Sequence, residues 1–385
     1  MTHKRSTTLP RRRLVAGLGA AAVGGLAGCL GGDPRDDSAS TGDETNAATT
    51  KNGSAIGDAD DASATVGMVY ALGGLDDRSF NDAANRGIQR ARLDHDVAFA
   101  NEEPTAAPEF QTTQAALSAS TDPDYDLICC VGFLQAEGLT AVAGEYPDQR
   151  YAIVDSVVDR ENVASYVFRE HEGSFQAGHL AGLVTSRDVS VGAGSTLPDE
   201  RTVGFVGGVE SDLVRKFEAG YRAGVDHAAV DASVLGAYVG AFDDPESGYA
   251  AAAEMYEQGA DVVYHAAGGS GLGVFQAAQE HGRYAIGVDS DQSRSNPRYA
   301  DVILASMVKR VGTAVYDAAE RTIDDELGTG ETTALGLAED GVALVYGTSL
   351  GPVISDDVRD ALGESGDRIV AGDLSVPSDP AEVGQ

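Results

Sequence analysis

The chain has 385 residues and a formal net charge of −34, with 61 Asp and Glu against 27 Lys and Arg. Only four of its cations are lysines, Lys4, Lys51, Lys216 and Lys309. A surface this acidic is repelled by nucleic acid and by anionic membranes, so neither suits it as a partner.

The N-terminus carries Arg11-Arg12-Arg13-Leu14-Val15 and then an apolar, Gly- and Ala-rich run ending in Leu26-Ala27-Gly28-Cys29. That run is about 14 residues, short of the ~20 that span a bilayer, and reads as the apolar region of an export signal. Paired arginines ahead of two apolar residues fit the twin-arginine route. Leu-Ala-Gly before Cys29 fits a lipobox in which that thiol receives lipid; the alternative is an uncleaved anchoring helix. Residues 1–29 are therefore expected to be a twin-arginine lipoprotein signal. Residues 30–64 hold mostly Gly, Asp, Ser, Thr and Ala, too little apolar surface to repay folding entropy, and are expected to be a flexible acidic linker.

From residue 65 the pattern alternates β-rich runs with helical segments. Strands are expected at 65–72, 126–131, 151–155 and 164–168, with helices at 79–92 and 134–146. The series resumes with strands at 202–206, 233–238, 261–265, 284–288 and 302–305, and helices at 213–226, 245–258 and 272–281. Leu213, Phe217, Tyr221 and Val225 recur every fourth residue, which gives that helix one buried face. Strict β-α alternation predicts an α/β fold: two doubly wound, parallel-sheet lobes with a ligand cleft between them. The expected division is 65–168 for the N-terminal lobe and 169–305 for the C-terminal lobe. Residues 306–385 would cross back and supply elements to both, including strand-like Val342–Tyr346 and 369–371. Residues around 188–200 would lengthen a surface loop. The adjacent Cys129 and Cys130 sit in a strand-like run and read as small buried hydrophobes rather than a disulfide, redox or metal site.

No catalytic pattern survives inspection. The run Gly268-Gly269-Ser270-Gly271-Leu272-Gly273 misses the nucleophile elbow, the P-loop and the dinucleotide spacing. The seven histidines lack zinc-ligand spacing, and no cofactor or metal is expected. What remains suits binding. Phe80 opens the first helix, where its ring either stacks on a planar base or packs into the core; Asn81 beside it offers both a donor and an acceptor to a purine edge. Phe242 ends a strand of the other lobe and is either the opposing ring or packing under its own loop. Asp155 and Asp289 end one strand in each lobe, where a carboxylate can grip the vicinal hydroxyls of ribose. Lys309 is retained in a chain nearly without lysine, which marks it as a specific donor. Asp77 and Asp291 read as solvated acids.

Seven segments carry a resemblance. They are Asp77-Arg78-Ser79-Phe80-Asn81, Glu172-Gly173-Ser174-Phe175-Gln176-Ala177-Gly178, Gly204-Phe205-Val206-Gly207-Gly208, Phe217-Glu218-Ala219-Gly220-Tyr221, His265-Ala266-Ala267-Gly268-Gly269, Gly287-Val288-Asp289-Ser290-Asp291-Gln292 and Ser306-Met307-Val308-Lys309-Arg310. In this order, over most of residues 66–347, the chain resembles the basic membrane protein group of ABC-transporter substrate-binding lipoproteins, the PnrA-like purine-nucleoside binders. The resemblance implies a type I periplasmic-binding fold with three crossovers and hinge closure. It implies base stacking by Phe80, a base-edge contact by Asn81, ribose or base contacts by Asp155, Gly269, Asp289 and Lys309, and Phe242 or Tyr264 as the second ring. Arg78, where lysine is common, and Gln176 depart mildly from the pattern.

The expected function is capture of a purine nucleoside outside the cell by a protein lipid-anchored to the outer face of the membrane, for delivery to an ABC permease. Two rivals stand beside it: a sensor of the same fold that presents a small molecule to a signalling receptor, and a nucleoside hydrolase, which would need a water-activating cluster. Acid enrichment with lysine depletion further resembles halophilic proteins, whose acidic surfaces stay soluble where salt screens repulsion.

Overall fold

The computed structural model describes residues 62–383; the expected signal, Cys29 and nearly all of the linker lie outside them. The first lobe begins with β1 (Ala64–Val69), α1 (Phe80–His95), β2 (Val97–Glu102), α2 (Glu109–Ser118), β3 (Leu127–Val131), α3 (Ala136–Glu145), β4 (Tyr151–Val154) and β5 (Val163–Phe168). The second lobe follows with α4 (Glu170–Thr185), a small hairpin of β6 (Ser190–Val191) and β7 (Gly194–Ser195), then β8 (Thr202–Gly207), α5 (Asp212–His227) and β9 (Ser233–Tyr238). It continues through α6 (Pro245–Glu257), β10 (Ala260–Ala266), α7 (Gly271–His281), β11 (Tyr284–Asp289), the single turn α8 (Gln292–Ser295) and β12 (Ile303–Lys309). Helix α9 (Val311–Ile323) and β13 (Thr332–Leu335) return to the first lobe, while β14 (Val342–Tyr346) and α10 (Asp356–Val370) complete the second.

Each lobe is built on a six-stranded sheet, ordered β13-β5-β4-β3-β1-β2 and β14-β12-β11-β10-β8-β9. All neighbours run parallel except β14, which lies antiparallel against β12. Central strands such as β1, β3 and β4 are buried along their whole length, because helices cover both faces of a parallel sheet. Cys129 and Cys130 are free and buried, and successive strand side chains point to opposite faces. Cys129 joins the core that contains Ile88 of α1 and Val315 of α9, and Cys130 the core beneath Phe110 and Leu139. On α5, Phe217, Tyr221 and Val225 are buried as the four-residue spacing requires, with Leu213 half-buried at the end of the stripe.

The chain passes between lobes at Arg169, at Arg310 and through residues 336–341. The three passages lie side by side: the Arg169 amide donates to the Leu335 carbonyl and the Arg310 amide to the Gly341 carbonyl, both at 2.9 Å. Two ion pairs tie them further, Arg169 to Glu339 at 2.9 Å and Arg310 to Asp340 at 3.0 Å.

Several expectations change in detail. The return crossing does not begin at Ser306, because β12 runs on through Ser306 to Lys309, paired with β11 and β14. Strand β2 and helix α2 were not foreseen. Residues 369–371 are not a strand; they end α10, where Ile369 is buried. Residues 188–200 form the β6–β7 hairpin, held by the Tyr284 hydroxyl, which donates toward the Gly194 carbonyl at 2.8 Å and accepts from the Val191 amide at 3.0 Å.

Candidate ligand-binding site

In a doubly wound sheet, a crevice opens at the carboxyl ends of the strands where the order reverses direction. In the first lobe that point lies between β1 and β3, and in the second between β8 and β10. The segments after these strands face each other across one cavity of about 240 Å³. This lies just under the roughly 300–1,000 Å³ usual for ligand pockets, so the occupant is small. Its walls are largely aromatic and aliphatic, with Phe80, Phe110 and Phe133 from the first lobe and Leu213, Phe217 and Phe242 from the second. Phe133 and Phe242 meet edge to face across the lobes, with centroids 6.5 Å apart.

The tight turns around the cavity depend on glycine at two places. Gly132 has φ 110°, and a Cβ there would come within 3.0 Å of the Ala71 Cβ. Gly268 has φ 53° and opens the turn that puts Gly269 on the cavity wall. Between the carboxyl ends of β1 and β3, Gln135 is fully buried and its amide donates to the Val69 and Val131 carbonyls, both at 2.8 Å, which fixes the strand ends where the crevice opens.

Asp155 and Asp289 occupy equivalent places in the two lobes, one just past β4 and the other closing β11. Both are in the left-handed region, at φ 71° and 64°, a conformation that Asp tolerates better than most residues. Both carboxylates are buried against the cavity. Burial pushes the Asp155 carboxyl up to about 6, partly opposed by Lys309 and reinforced by Glu170. Burial likewise raises Asp289, against the pull of Lys309 and the Ser79 hydroxyl. The Lys309 ammonium lies 2.6 Å from Asp155 Oδ2 and 3.2 Å from Glu170 Oε1. Burial works against its charge, yet Asp155, Glu170 and Asp289 outweigh it and hold Lys309 above the ordinary lysine value. Asp155 Oδ1 is buried and has no protein partner.

The rim is fastened between the lobes. The Ser79 hydroxyl donates to Asp289 Oδ2 at 2.6 Å, the Arg78 guanidinium to Asn296 Oδ1 at 3.2 Å, and the Ser290 and Ser295 hydroxyls to the Arg78 carbonyl at 3.2 Å each. These bonds join the loop before α1 to the loop after β11.

Of the residues singled out from sequence, Phe80, Phe242, Gly269, Asp155, Asp289 and Lys309 converge on the cavity. Asn81 also borders it, but its amide is committed: Oδ1 accepts from the Ala71 amide, and Nδ2 donates to the Ala71 and Gly74 carbonyls. It shapes the loop rather than offering a base edge a free donor and acceptor. Tyr264 is fully buried in the second lobe, beside Phe205 and Tyr221 and bonded to Ser174, so it is no second ring of the cavity. Asp77 is not a solvated acid; its carboxylate accepts from the amides of Ser79, Asn81 and Asp82 at the start of α1, and burial raises it to about 6. Asp291 is likewise engaged, with Ser293 and Arg294. Ser79, Phe133 and Glu170 were missed. Ser79 sits inside the Asp77-Arg78-Ser79-Phe80-Asn81 run, whereas nothing local distinguishes Glu170 from the many acids around it. Among the described residues no cluster of His, Cys, Asp and Glu suits a metal ion, and no helix is long and apolar enough to cross a membrane.

Residues 64–379 match the family described as ABC transporter substrate-binding protein PnrA-like. A CD4+ T-cell-stimulating antigen of Listeria innocua is 34% identical over 335 residues, covering 82% of this chain and 88% of that protein. The ABC transporter nucleoside-binding protein BmpA of Lactococcus lactis subsp. cremoris is 30% identical over 347 residues, covering 83% and 93%. Among solved structures, an ABC transporter solute-binding protein of Aeropyrum pernix K1 superposes with a TM-score of 0.72 at 29% identity, covering 82% of this chain and 94% of that one. The two lobes, the three passages and the enclosed cleft are the architecture of a solute receptor, and the chain belongs to the PnrA-like family of ABC transporter substrate-binding proteins.

Proposed function

We propose that this protein is a lipid-anchored receptor that captures a purine nucleoside between its lobes outside the cell and delivers it to an ABC permease without chemical change. The observation that carries the reading is the composition of the cavity. Aromatic walls from both lobes suit a flat base, and a buried carboxylate from each lobe suits the hydroxyls of a sugar. The lining holds one cation, Lys309, which is already paired, beside five aspartates, so the cavity disfavours an anionic ligand such as a nucleotide. The nucleoside-binding name of the Lactococcus relative supports the same ligand class. Asp155 is paired with Lys309 and Asp289 with Ser79, contacts that suit holding a ligand rather than activating water. Anchoring through Cys29, export by the twin-arginine route and a halophilic setting rest on the sequence.

Mass spectrometry of small molecules released by denaturing the purified protein tests the reading. A purine nucleoside in near-stoichiometric amount is the expected result. A sugar, an amino acid or a free base in its place overturns the ligand class.

A further inference from the structure

Two of the four lysines of this chain lie among the described residues, and both lie against the same carboxylate. Glu170, the first residue of α4, is fully buried; the Lys309 ammonium stands 3.2 Å from its Oε1 and the Lys216 ammonium of α5 3.8 Å from its Oε2. With Asp155 the order from cavity to surface is Asp155, Lys309, Glu170, Lys216, alternating in sign. Neither Glu170 oxygen accepts a hydrogen bond of good geometry, so the two ammonium groups are what balances its burial.

The lobes divide this row unequally. Asp155 follows β4 and belongs to the first lobe, whereas Lys309 ends β12, Glu170 opens α4 and Lys216 lies on α5, all in the second. Three rings surround the ammonium of Lys309, with centroids at 5.2 Å for Phe80, 5.1 Å for Phe168 and 5.5 Å for Phe217. Phe80 and Phe168 come from the first lobe and Phe217 from the second. Parting of the lobes therefore takes away Asp155 and two rings and leaves Glu170 as the carboxylate at ion-pair distance, with Asp289 of the same lobe contributing less. A lysine without a carboxylate beside an apolar wall loses its proton readily. We infer that Glu170 is a positioning residue for Lys309: anchored by Lys216, it keeps the ammonium charged and in place in the open receptor, ready to be met by Asp155 on closure. This rests on the reading of the cavity as a nucleoside site that closes around its ligand, but the role of Glu170 can be tested with no ligand present.

The other charged or titratable groups facing this row are Asp289 at the end of β11, whose charge also favours the ammonium, and Tyr264 of β10 and His171 of α4, which feel Glu170 and Lys216. Elements α1, β5 and α5 present only Phe80, Phe168 and Phe217 to the ammonium itself.

The test follows lysine side-chain NMR signals of the full chain through a pH titration, with Lys216→Arg and Lys309→Arg variants to assign the two signals. In the ligand-free native protein, Lys309 is expected to keep its proton past the ordinary lysine value of about 10.4. In Glu170→Gln its midpoint is expected to fall below that value, a loss of at least about tenfold in proton affinity. The double variant Glu170→Gln/Lys216→Gln removes the outer pair together, leaves no bare cation behind, and is expected to shift Lys309 in the same direction. Guanosine is the probe for the closed state: saturating guanosine should bring the variant and native titrations together, since Asp155 then holds the ammonium. Relative to the native protein at the same pH, a ratio that cancels ionisation of guanosine itself, guanosine affinity of Glu170→Gln should decline by about tenfold per pH unit above the lowered midpoint. If ligand-free Glu170→Gln and the double variant both titrate like the native protein, Glu170 does not hold the charge of Lys309 and the inference is overturned. If the native protein binds no purine nucleoside, the functional reading falls, and the ligand-free titration still decides the role of Glu170.

Discussion

Ser79→Ala isolates the closing of the cleft from the fold of either lobe. The Ser79 hydroxyl reaches across to Asp289 Oδ2 at 2.6 Å, and both residues are buried. Ser79 precedes α1 without capping it by its side chain; Asp77 satisfies the amides there. Alanine therefore leaves the helix start intact and removes one interlobe donor from a buried carboxylate. A hydrogen bond to a charged group contributes about 1.5–3 kcal/mol. At 1.4 kcal/mol per tenfold, that is roughly a 10- to 140-fold loss of affinity, because the bond exists only when the lobes are closed. Calorimetric titration with guanosine measures the loss, and thermal unfolding of the ligand-free protein should not change if the bond forms only when the cleft closes on its ligand. Unchanged affinity in a folded Ser79→Ala protein would refute the claim that this bond belongs to the liganded state. A lowered melting temperature without ligand would show the bond formed in the empty receptor instead.

Other substitutions probe the cavity and the anchor. Phe80→Ala should weaken every purine nucleoside by the value of one stacked ring, about 1–3 kcal/mol, whereas Asp289→Asn should weaken nucleosides far more than free bases; competition binding with matched nucleoside and base pairs separates the two. Cys29→Ser should appear in the medium or remain unprocessed, and a variant that fractionates with membranes in processed form, as the native protein does, would dispose of the lipid anchor.

The fold was legible because buried parallel strands and their covering helices impose long apolar runs at regular spacing. Strand β1 and the α5 stripe of Phe217, Tyr221 and Val225 are examples. Strand β2 escaped because it is an edge strand entered through a left-handed Asp96 directly from α1, so no turn sequence separates the two. Residues 369–371 misled because a β-branched pair at the end of an amphipathic helix looks like a strand when its period is not followed back to Val358 and Leu362. Within the site, Asp155, Asp289 and Lys309 stood out by their place at strand ends and by the rarity of lysine. Asn81 and Tyr264 did not behave as expected because sequence cannot say whether a polar group is already spent on its own backbone or ring neighbours. Glu170 was invisible for the opposite reason: its importance comes from two lysines distant in sequence that meet only in the folded chain.

The most direct test of the central claim is calorimetry of the purified domain with guanosine, inosine and adenosine in high salt, with product analysis of the same samples. The account predicts saturable binding of at least one of them, one ligand per chain, and full recovery of intact nucleoside. No binding of any purine nucleoside by folded protein, or steady release of free base, would contradict it.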